Sequence, residues 1–419
     1  MTPRTPVLIS AARAAQMLLA LVFLFLVFLF VAEDVNAYAR QKVGAAAGSA
    51  QLRERLQQKL HELHRGGKFP GATAGFALSD GTSFGLATGL ADLKTGRPMK
   101  PSDLMLQGSV GKTYVAALAL QLVGEGRLRL DDKIEKYLGK EKWFSRLPNG
   151  PFITVRMLMN HTSGLVRYEF KEQFTKDLTA NPSKVWKPEE LVSYILGSEP
   201  PFAAGKGWDY SDTNYIVLGM IIERVTRSTY YGEVSSRLLK RLGLRRTLPS
   251  DSPVILGLVQ GYAGANNPFG GSDEMIMGGR LVINPQFEWT GGGMASTTED
   301  LARWSKALYE GRAFDPALLQ QMLEGVPAKL GPDARYGLGV IIRPTPLGAS
   351  YGHSGFFPGY LTEMAYFPSL KTAIALQVNT SVGRAVGRPV FRVLLELAEI
   401  IAQEKGDAPQ AKPRKESRK

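Results

Sequence analysis

The sequence predicts an α+β protein in which one antiparallel sheet is built from both ends of the chain and a mostly helical lobe is inserted between them. Three observations lead there. Period-two apolar patterning occurs near residues 72–88 and again at 336–378, whereas the middle third carries helical spacing. No internal repeat makes either half a unit of its own. The 419 residues, 44% of them hydrophobic, suffice for two or three structural units with full cores. A helical lobe set into a sheet leaves a cleft at the seam, where sites usually lie.

The elements follow in order. Arg4 and Arg13 precede an uncharged run from Ala14 to Ala32, and Glu33 and Asp34 follow it. That pattern reads as an export signal whose N-terminus stays in the cytoplasm. Its apolar core is longer than a cleavable signal needs, which favours a retained membrane anchor; cleavage after Ala39, in Ala37-Tyr38-Ala39, is the alternative. Residues 1–40 are therefore assigned to the signal or anchor, 50–404 to a globular domain and 405–419 to a disordered basic tail. Inside the domain, Leu52, Leu56, Leu60 and Leu63 mark an amphipathic helix over 51–65. Segments 72–78 and 82–88 flank Ser79-Asp80-Gly81 as a β-hairpin. A helix starts near Ser109, and others are expected at 153–159, 188–196, 213–226, 230–241, 297–310 (capped by Thr297) and 315–324. The stretch 250–290, rich in Gly, Pro and Asn, reads as irregular, a flap near the cleft. Strands at 336–342, 350–353, 360–367 and 371–378 precede a last helix at 384–404.

Composition removes several chemistries. With no cysteine there is no disulfide framework, thiolate metal site or cysteine nucleophile. The four histidines, His61, His64, His161 and His353, do not form a zinc pattern, and His61 and His64 lie on a polar helix face. No metal or organic cofactor is required. The net charge of +13 raises nucleic acid as a partner. The tail carries part of it, six basic against two acidic residues, and no nucleic-acid-binding motif stands out elsewhere. A basic surface facing anionic lipid or cell wall accounts for the excess, with no nucleic-acid partner.

Gly108-Ser109-Val110-Gly111-Lys112 holds the chain's one Ser-x-x-Lys. On a helix this spacing puts Ser Oγ and Lys Nζ on one face, and the helix start offers backbone N–H groups to an oxyanion. Lysine can then act as or assist the base a serine nucleophile needs. Chance supplies about one such match in a chain of this composition, so on these residues alone a capping serine beside a solvated lysine is the better reading. Tyr210-Ser211-Asp212 precedes the 213–226 helix; a tyrosine beside an ammonium can shuttle a proton, and a loop–helix junction is the plainer reading. Gly352-His353-Ser354-Gly355 ends a strand, where a substrate backbone can pair with the edge, or where a hairpin simply turns. Asn160-His161-Thr162-Ser163-Gly164 contains no nucleophile elbow and reads as a structural helix cap.

Taken in this order, the three motifs resemble those of the serine β-lactamase and penicillin-binding-protein superfamily, and within it the class C β-lactamases, D-alanyl-D-alanine carboxypeptidases and esterase relatives. Residues 153–165, 208–219, 291–304 and 336–340 match as well, so the resemblance covers about residues 50–400. It implies a β-lactamase/transpeptidase-like fold. It also implies an acyl-enzyme mechanism with Ser109 as nucleophile, Lys112 as its partner and Tyr210 as acylation base and later acid. His353-Ser354-Gly355 becomes the substrate-pairing strand motif, and the N–H groups of Ser109 and Phe356 the oxyanion hole. Two positions depart from the family pattern: His353 replaces the lysine of β-lactamases, and Asp212 stands where asparagine is usual. An ionised Asp212 could hold Lys112 charged, shift the base role to Tyr210, or favour a substrate amine at that edge. The expected function is an exported serine hydrolase in a bacterial envelope, acting on D-amino-acid peptides of peptidoglycan type or related amides. The alternatives are a β-lactamase, an esterase for small acyl esters, a non-catalytic family member, or an anionic-polymer binder using the tail.

Overall fold

The computed structural model describes residues 50–265, 267, 272–404 and 406. The apolar run 14–32, the cleavage site after Ala39 and the tail 405–419 (apart from Gly406) lie outside them. Among the described residues no helix is long and apolar enough to cross a membrane. Contacts divide the chain into residues 1–56 and 57–419, and the fold below belongs to the second unit.

Its frame is a nine-stranded antiparallel sheet in the order 97–98, 83–92, 71–77, 372–378, 360–367, 348–357, 341–345, 335–336, 326–327. The first two-thirds of that order explains why both chain ends carry period-two patterning. Strand Gly71–Ala77 is the hinge of the design, hydrogen-bonded to Ser83–Asp92 on one side and to Thr372–Val378 on the other. Every one of its residues is buried. Gly75 faces the N-terminus of helix Thr298–Tyr309; a Cβ there would lie 2.0 Å from the Thr298 carbonyl oxygen, so only glycine lets helix and sheet meet. That helix is capped by Thr297, whose hydroxyl accepts from the Asp300 N–H at 3.3 Å. Helix Val390–Glu404 also packs on the sheet, through Leu394, Leu397 and Ile401.

The inserted lobe centres on helix Lys112–Gly124, buried without interruption from Lys112 to Leu120. A sequence apolar on all sides, YVAALALQL, dictates that central place. Against it packs helix Asp212–Thr226, buried from Thr213 to Ile222. Each fully buried leucine or isoleucine contributes about 1.5–3 kcal/mol. Truncating Ile216 or Ile221, both fully buried, therefore loosens the wall that holds Asp212.

The structure adjusts several boundaries. The expected strand 350–353 extends over Gly348–Phe357, because its partners Ile341–Thr345 and Tyr360–Phe367 pair along that whole length. The 336–342 strand is displaced to Ile341–Thr345, with only Arg335–Tyr336 paired before it. The last helix starts at Val390 rather than 384, after Pro389. Helix Glu172–Ala180 and a small sheet of Met105–Leu106, Met294–Ser296 and Thr247–Pro249 were not expected. Within 250–290 there is a short hairpin, Ile276–Met277 with Arg280–Leu281, followed by the turn Pro285–Gly291. His61 and His64 bind Thr88 Oγ1 and the Pro70 carbonyl, at 2.9 and 3.1 Å, so both tie their helix to the adjacent sheet region.

Candidate active site

Three pieces of backbone converge at the seam between lobe and sheet. The first is the turn Gly108–Gly111, which runs straight into helix Lys112–Gly124. Ser109 thus stands one turn ahead of the helix proper. Gly108 takes φ 50°, and its missing Cβ would fall 2.4 Å from the Phe356 carbonyl oxygen. Gly355 is equally confined, since a Cβ there would lie 1.9 Å from the carbonyl oxygen of Gln107. Two glycines therefore allow the serine turn and the Gly348–Phe357 strand to touch backbone to backbone.

Lys112 is fully buried. Its Nζ donates to Ser109 Oγ at 3.0 Å, to Asp212 Oδ1 and to the Gly291 carbonyl. Burial works against its charge, but Asp212 and Tyr210 outweigh it and the pKa is pushed up to about 12. Burial likewise opposes ionisation of Asp212, and Lys112, Glu169 and Arg167 overcome it, holding the carboxyl well below the usual range. The expected pairing of Asp212 with Lys112 is present, and it fixes Lys112 as an ammonium. Three acceptors satisfy that ammonium's three hydrogens, one of them Ser109 Oγ, so the serine's own proton must point elsewhere.

Tyr210 closes the cluster. Its buried hydroxyl faces Ser109 and Lys112; burial raises its pKa, Lys112 draws it down, and Asp212 raises it again, leaving it above the ordinary 10.0. Lys112 Nζ lies 5.0 Å from its ring centroid. The ring rests on His161, centroids 4.3 Å apart. His161 Nδ1 accepts from the Ser211 N–H at 3.3 Å and lies 3.0 Å from Asn214 Nδ2, so the proton of this neutral imidazole sits on Nε2. Burial, then Lys112, keep its pKa well below 6.5. Reading 160–164 as a structural cap is right for Asn160, whose Oδ1 accepts from Thr162. It misses His161, which supports Tyr210 from a position 50 residues before Ser211.

The third piece is the Gly348–Phe357 strand. Alternation puts His353 and Gly355 on one face and Ser354 on the other. His353, 1% exposed, shares a hydrogen bond of 2.8 Å with the Tyr336 hydroxyl and one of 2.7 Å with the Ser354 carbonyl. Burial, then Lys112, depress it to about 3, so it is a neutral group in the wall. The Ser354 side chain donates to Glu363 at 2.8 Å and accepts from Arg343 at 2.8 Å, so it is its backbone that the expected edge pairing would use. Phe356 is 47% exposed at the rim, while Phe357 is buried inside.

Ser109 opens into a cavity of about 660 Å³. Its lining combines Tyr168, Phe170, Phe287, Phe356 and Phe357 with the charged residues Arg167, Glu169, Asp212 and Glu288, and Arg167 lies over the Phe170 ring at 3.9 Å. Three of these four charged neighbours, Arg167, Glu169 and Glu288, escaped the sequence reading, because nothing in their spacing links 167–169 to 288. Glu288 comes from the turn Pro285–Gly291, in which Trp289 takes φ 36° and ψ −113° and the Gly291 carbonyl accepts from Lys112. Among the described residues no group of histidines and carboxylates could hold a metal ion.

A serine held by a buried ammonium and faced by a tyrosine thus stands at the mouth of a cavity on an α+β frame. The chain belongs to the Beta-lactamase family, whose model matches residues 52–399. It is 26% identical to penicillin-binding protein 4* of Bacillus subtilis over 302 residues, covering 69% of this chain and 63% of that protein. It is 26% identical to a D-aminopeptidase of Brucella anthropi over 307 residues, 73% of this chain and 55% of the relative. The chain thus spans between half and two-thirds of the length of these relatives. A D-stereospecific amidohydrolase from a Streptomyces species superposes with a TM-score of 0.68 at 28% identity, over 79% of this chain and 96% of that one.

Proposed function

We propose that this hydrolase cleaves amide or ester bonds of D-amino-acid compounds, cell-wall peptides or related amides, through an acyl-enzyme on Ser109, and that it works outside the cytoplasmic membrane. The carrying observation is the Ser109–Lys112–Tyr210 cluster closed by Asp212. Because Lys112 is an ammonium, the base is the phenolate form of Tyr210. As Ser109 Oγ bonds to the substrate carbonyl carbon, its proton passes to the Tyr210 oxygen, and the carbonyl oxygen takes the charge facing the N–H groups of Ser109 and Phe356. Each such donor contributes on the order of 3 kcal/mol to the transition state. Tyr210 then protonates the departing amine or alcohol, and a water repeats the sequence in reverse to release the acid and restore Ser109. Location outside the membrane is supported by the charge pattern around residues 14–32.

His353 bears on the substrate. A neutral imidazole tied to Tyr336 offers no cation for a free carboxylate, which favours amides and esters over carboxypeptidase substrates and β-lactams. The test is hydrolysis of a D-amino-acid amide, a D-alanyl-D-alanine peptide and a nitrophenyl ester by the wild type and Ser109→Ala. Turnover lost in the variant, strongest on amide or ester, supports the reading. No Ser109-dependent turnover of any of the three overturns it.

A further inference from the structure

Outside the cavity, two adjoining loops expose large apolar side chains between arginines. Gly278 and Gly279 take φ 58° and 75°, a two-residue turn that sets Met277 opposite Arg280 at the tip of the hairpin Ile276–Met277 with Arg280–Leu281. The Leu281 N–H donates to the Pro253 carbonyl at 2.8 Å, which ties the loop 253–257 to that hairpin. Val254 and Leu256 of the loop are 42% and 84% exposed, and Met277 is 59% exposed. The other end of the loop meets Arg246, since a Cβ on Gly257 would lie 3.4 Å from its guanidinium. Arg246 shares a cavity of about 540 Å³ with Arg245 and Arg303. The acids nearby are engaged elsewhere. Asp300 accepts from Arg303 at 3.2 Å and from the Arg246 N–H at 2.7 Å, and Glu299 accepts from Ser83 Oγ at 2.9 Å. Asp273 and Glu274 accept from the Gly264 N–H and from Gln260. Arg246 donates to the Ser102 carbonyl at 3.0 Å. Arg245 and Arg280 are exposed and make no hydrogen bond or ion pair among the described residues, which leaves Asp251 as the exposed acid among three arginines. A single exposed apolar residue is ordinary on a protein surface; three on adjoining loops, with cations at both ends, are not.

We propose that the loop 253–257 and the hairpin tip at Met277 form a membrane-contacting face, which seats Val254, Leu256 and Met277 at the acyl boundary of an anionic bilayer while Arg245, Arg246 and Arg280 meet its phosphates. The two kinds of residue match the two layers of such a surface. Apolar side chains enter the acyl boundary, and arginines lay their stems along apolar surface and present a planar fork to phosphate oxygens. The apolar members decide the partner. A soluble polyanion pairs with the arginines but covers neither Leu256 nor Met277. A second copy docked patch to patch sets arginine against arginine. Anionic lipid satisfies both, and the net charge of +13 draws the chain toward it. The face is independent of the chemistry at Ser109. It holds the globular domain itself on the lipid surface, in addition to any contact made through residues 14–32.

The chain has no cysteine, so one introduced thiol takes a polarity-sensitive fluorophore without competition. Leu256→Cys and Met277→Cys are labelled in the full chain, with Phe152→Cys, an exposed apolar position on the turn Gly150–Phe152, as the reference. Each is mixed with vesicles of phosphatidylcholine alone or of phosphatidylcholine with phosphatidylglycerol, with and without a spin-labelled acyl chain as quencher. A probe reads only its own surroundings, so association through residues 14–32 alone leaves it in water. On the anionic vesicles the first two probes should shift to the blue and be quenched, while the reference emits as in buffer. Arg245→Gln with Arg280→Gln, in the Leu256→Cys background, should lower the ratio of docked to free probe about 5-fold per arginine, from about 1 kcal/mol for each cation at an anionic surface. No shift at either position, an equal shift without phosphatidylglycerol, an equal shift of the reference, or a signal unmoved by the arginine pair overturns the face. A shift produced by soluble polyphosphate in place of vesicles assigns the arginines to a polyanion and overturns it as well.

Discussion

Replacing Asp212 with asparagine tests the electrostatic argument on which the mechanism rests. In the folded protein Lys112 titrates at about 12 because Asp212, helped by Tyr210, outweighs a burial penalty that is itself the largest influence on the group. Two unit charges about 4 Å apart interact by about 4 kcal/mol at an effective dielectric constant near 20, or about three pH units at 1.36 kcal/mol each. Asparagine keeps the shape and removes the charge, so Lys112 should lose its proton about three pH units earlier. The assay is kcat/KM for a chromogenic ester between pH 6 and 10.5. In the wild type the rate should climb throughout, as Tyr210 deprotonates beneath an ammonium that persists. In Asp212→Asn it should climb, pass a maximum and fall within that window. Thermal stability carries the same signature. The raised Lys112 pKa gives stabilisation that is complete below 10.5 and lost as pH rises through about 12. In the variant the folded-state pKa drops below the unfolded value, so stability should instead rise with pH as Lys112 discharges. Breaking a buried pair on one side also costs about 3–5 kcal/mol near neutrality. A variant rate that keeps rising to pH 10.5, parallel to the wild type, would sink the claim that Asp212 holds Lys112 charged.

Three other substitutions probe the remaining parts. Tyr210→Phe should lower kcat by about 10²- to 10⁴-fold, the range for a general base, with the melting temperature little changed because the buried hydroxyl finds no partner of its own. His353 is neutral when folded, with its pKa at about 3, so it contributes stability present above pH 6.5 and lost as pH falls toward 3. By pH 4.5 the loss is about 2.7 kcal/mol at 1.36 kcal/mol per unit, and thermal melts of His353→Gln should show a flatter acid limb than the wild type. Gly355→Ala drives a methyl to within 1.9 Å of the Gln107 carbonyl. It should cost about 1–3 kcal/mol in denaturant titrations and pull Ser109 out of line with a marked loss of kcat.

What the sequence made legible follows the range of its signals. The hairpin at Ser79-Asp80-Gly81, the Thr297 cap and helices such as 213–226 depend on neighbours within a turn or two, and they stand close to where they were expected. Ser109, Lys112, Tyr210 and His353 came together because each carries a motif. The acids of the cavity lining had no such mark: Glu169 and Glu288 look like ordinary surface acids until the lobe folds them over one cavity. Ser354 had a motif but its side-chain partners had none: strand alternation turns its hydroxyl to Arg343 and Glu363, neither of which the motif names. His161 was hidden for a third reason, since its contact with Tyr210 is a stacking that leaves no trace in local patterning.

The pairing of Gly71–Ala77 with Thr372–Val378 has a consequence for how the protein comes into being. A ribosome releases the first strand about 300 residues before its partner exists, and contacts that distant form slowly. Until then the strand is an apolar edge open to any passing chain, a hazard that grows with the length of the wait. The serine turn leans on Gly355, which is also made late, so no partial chain can assemble the cluster. Synthesis and assembly of the site are thereby separated in time: the Ser109 cluster closes only after Gly355 and the Thr372–Val378 strand have been made.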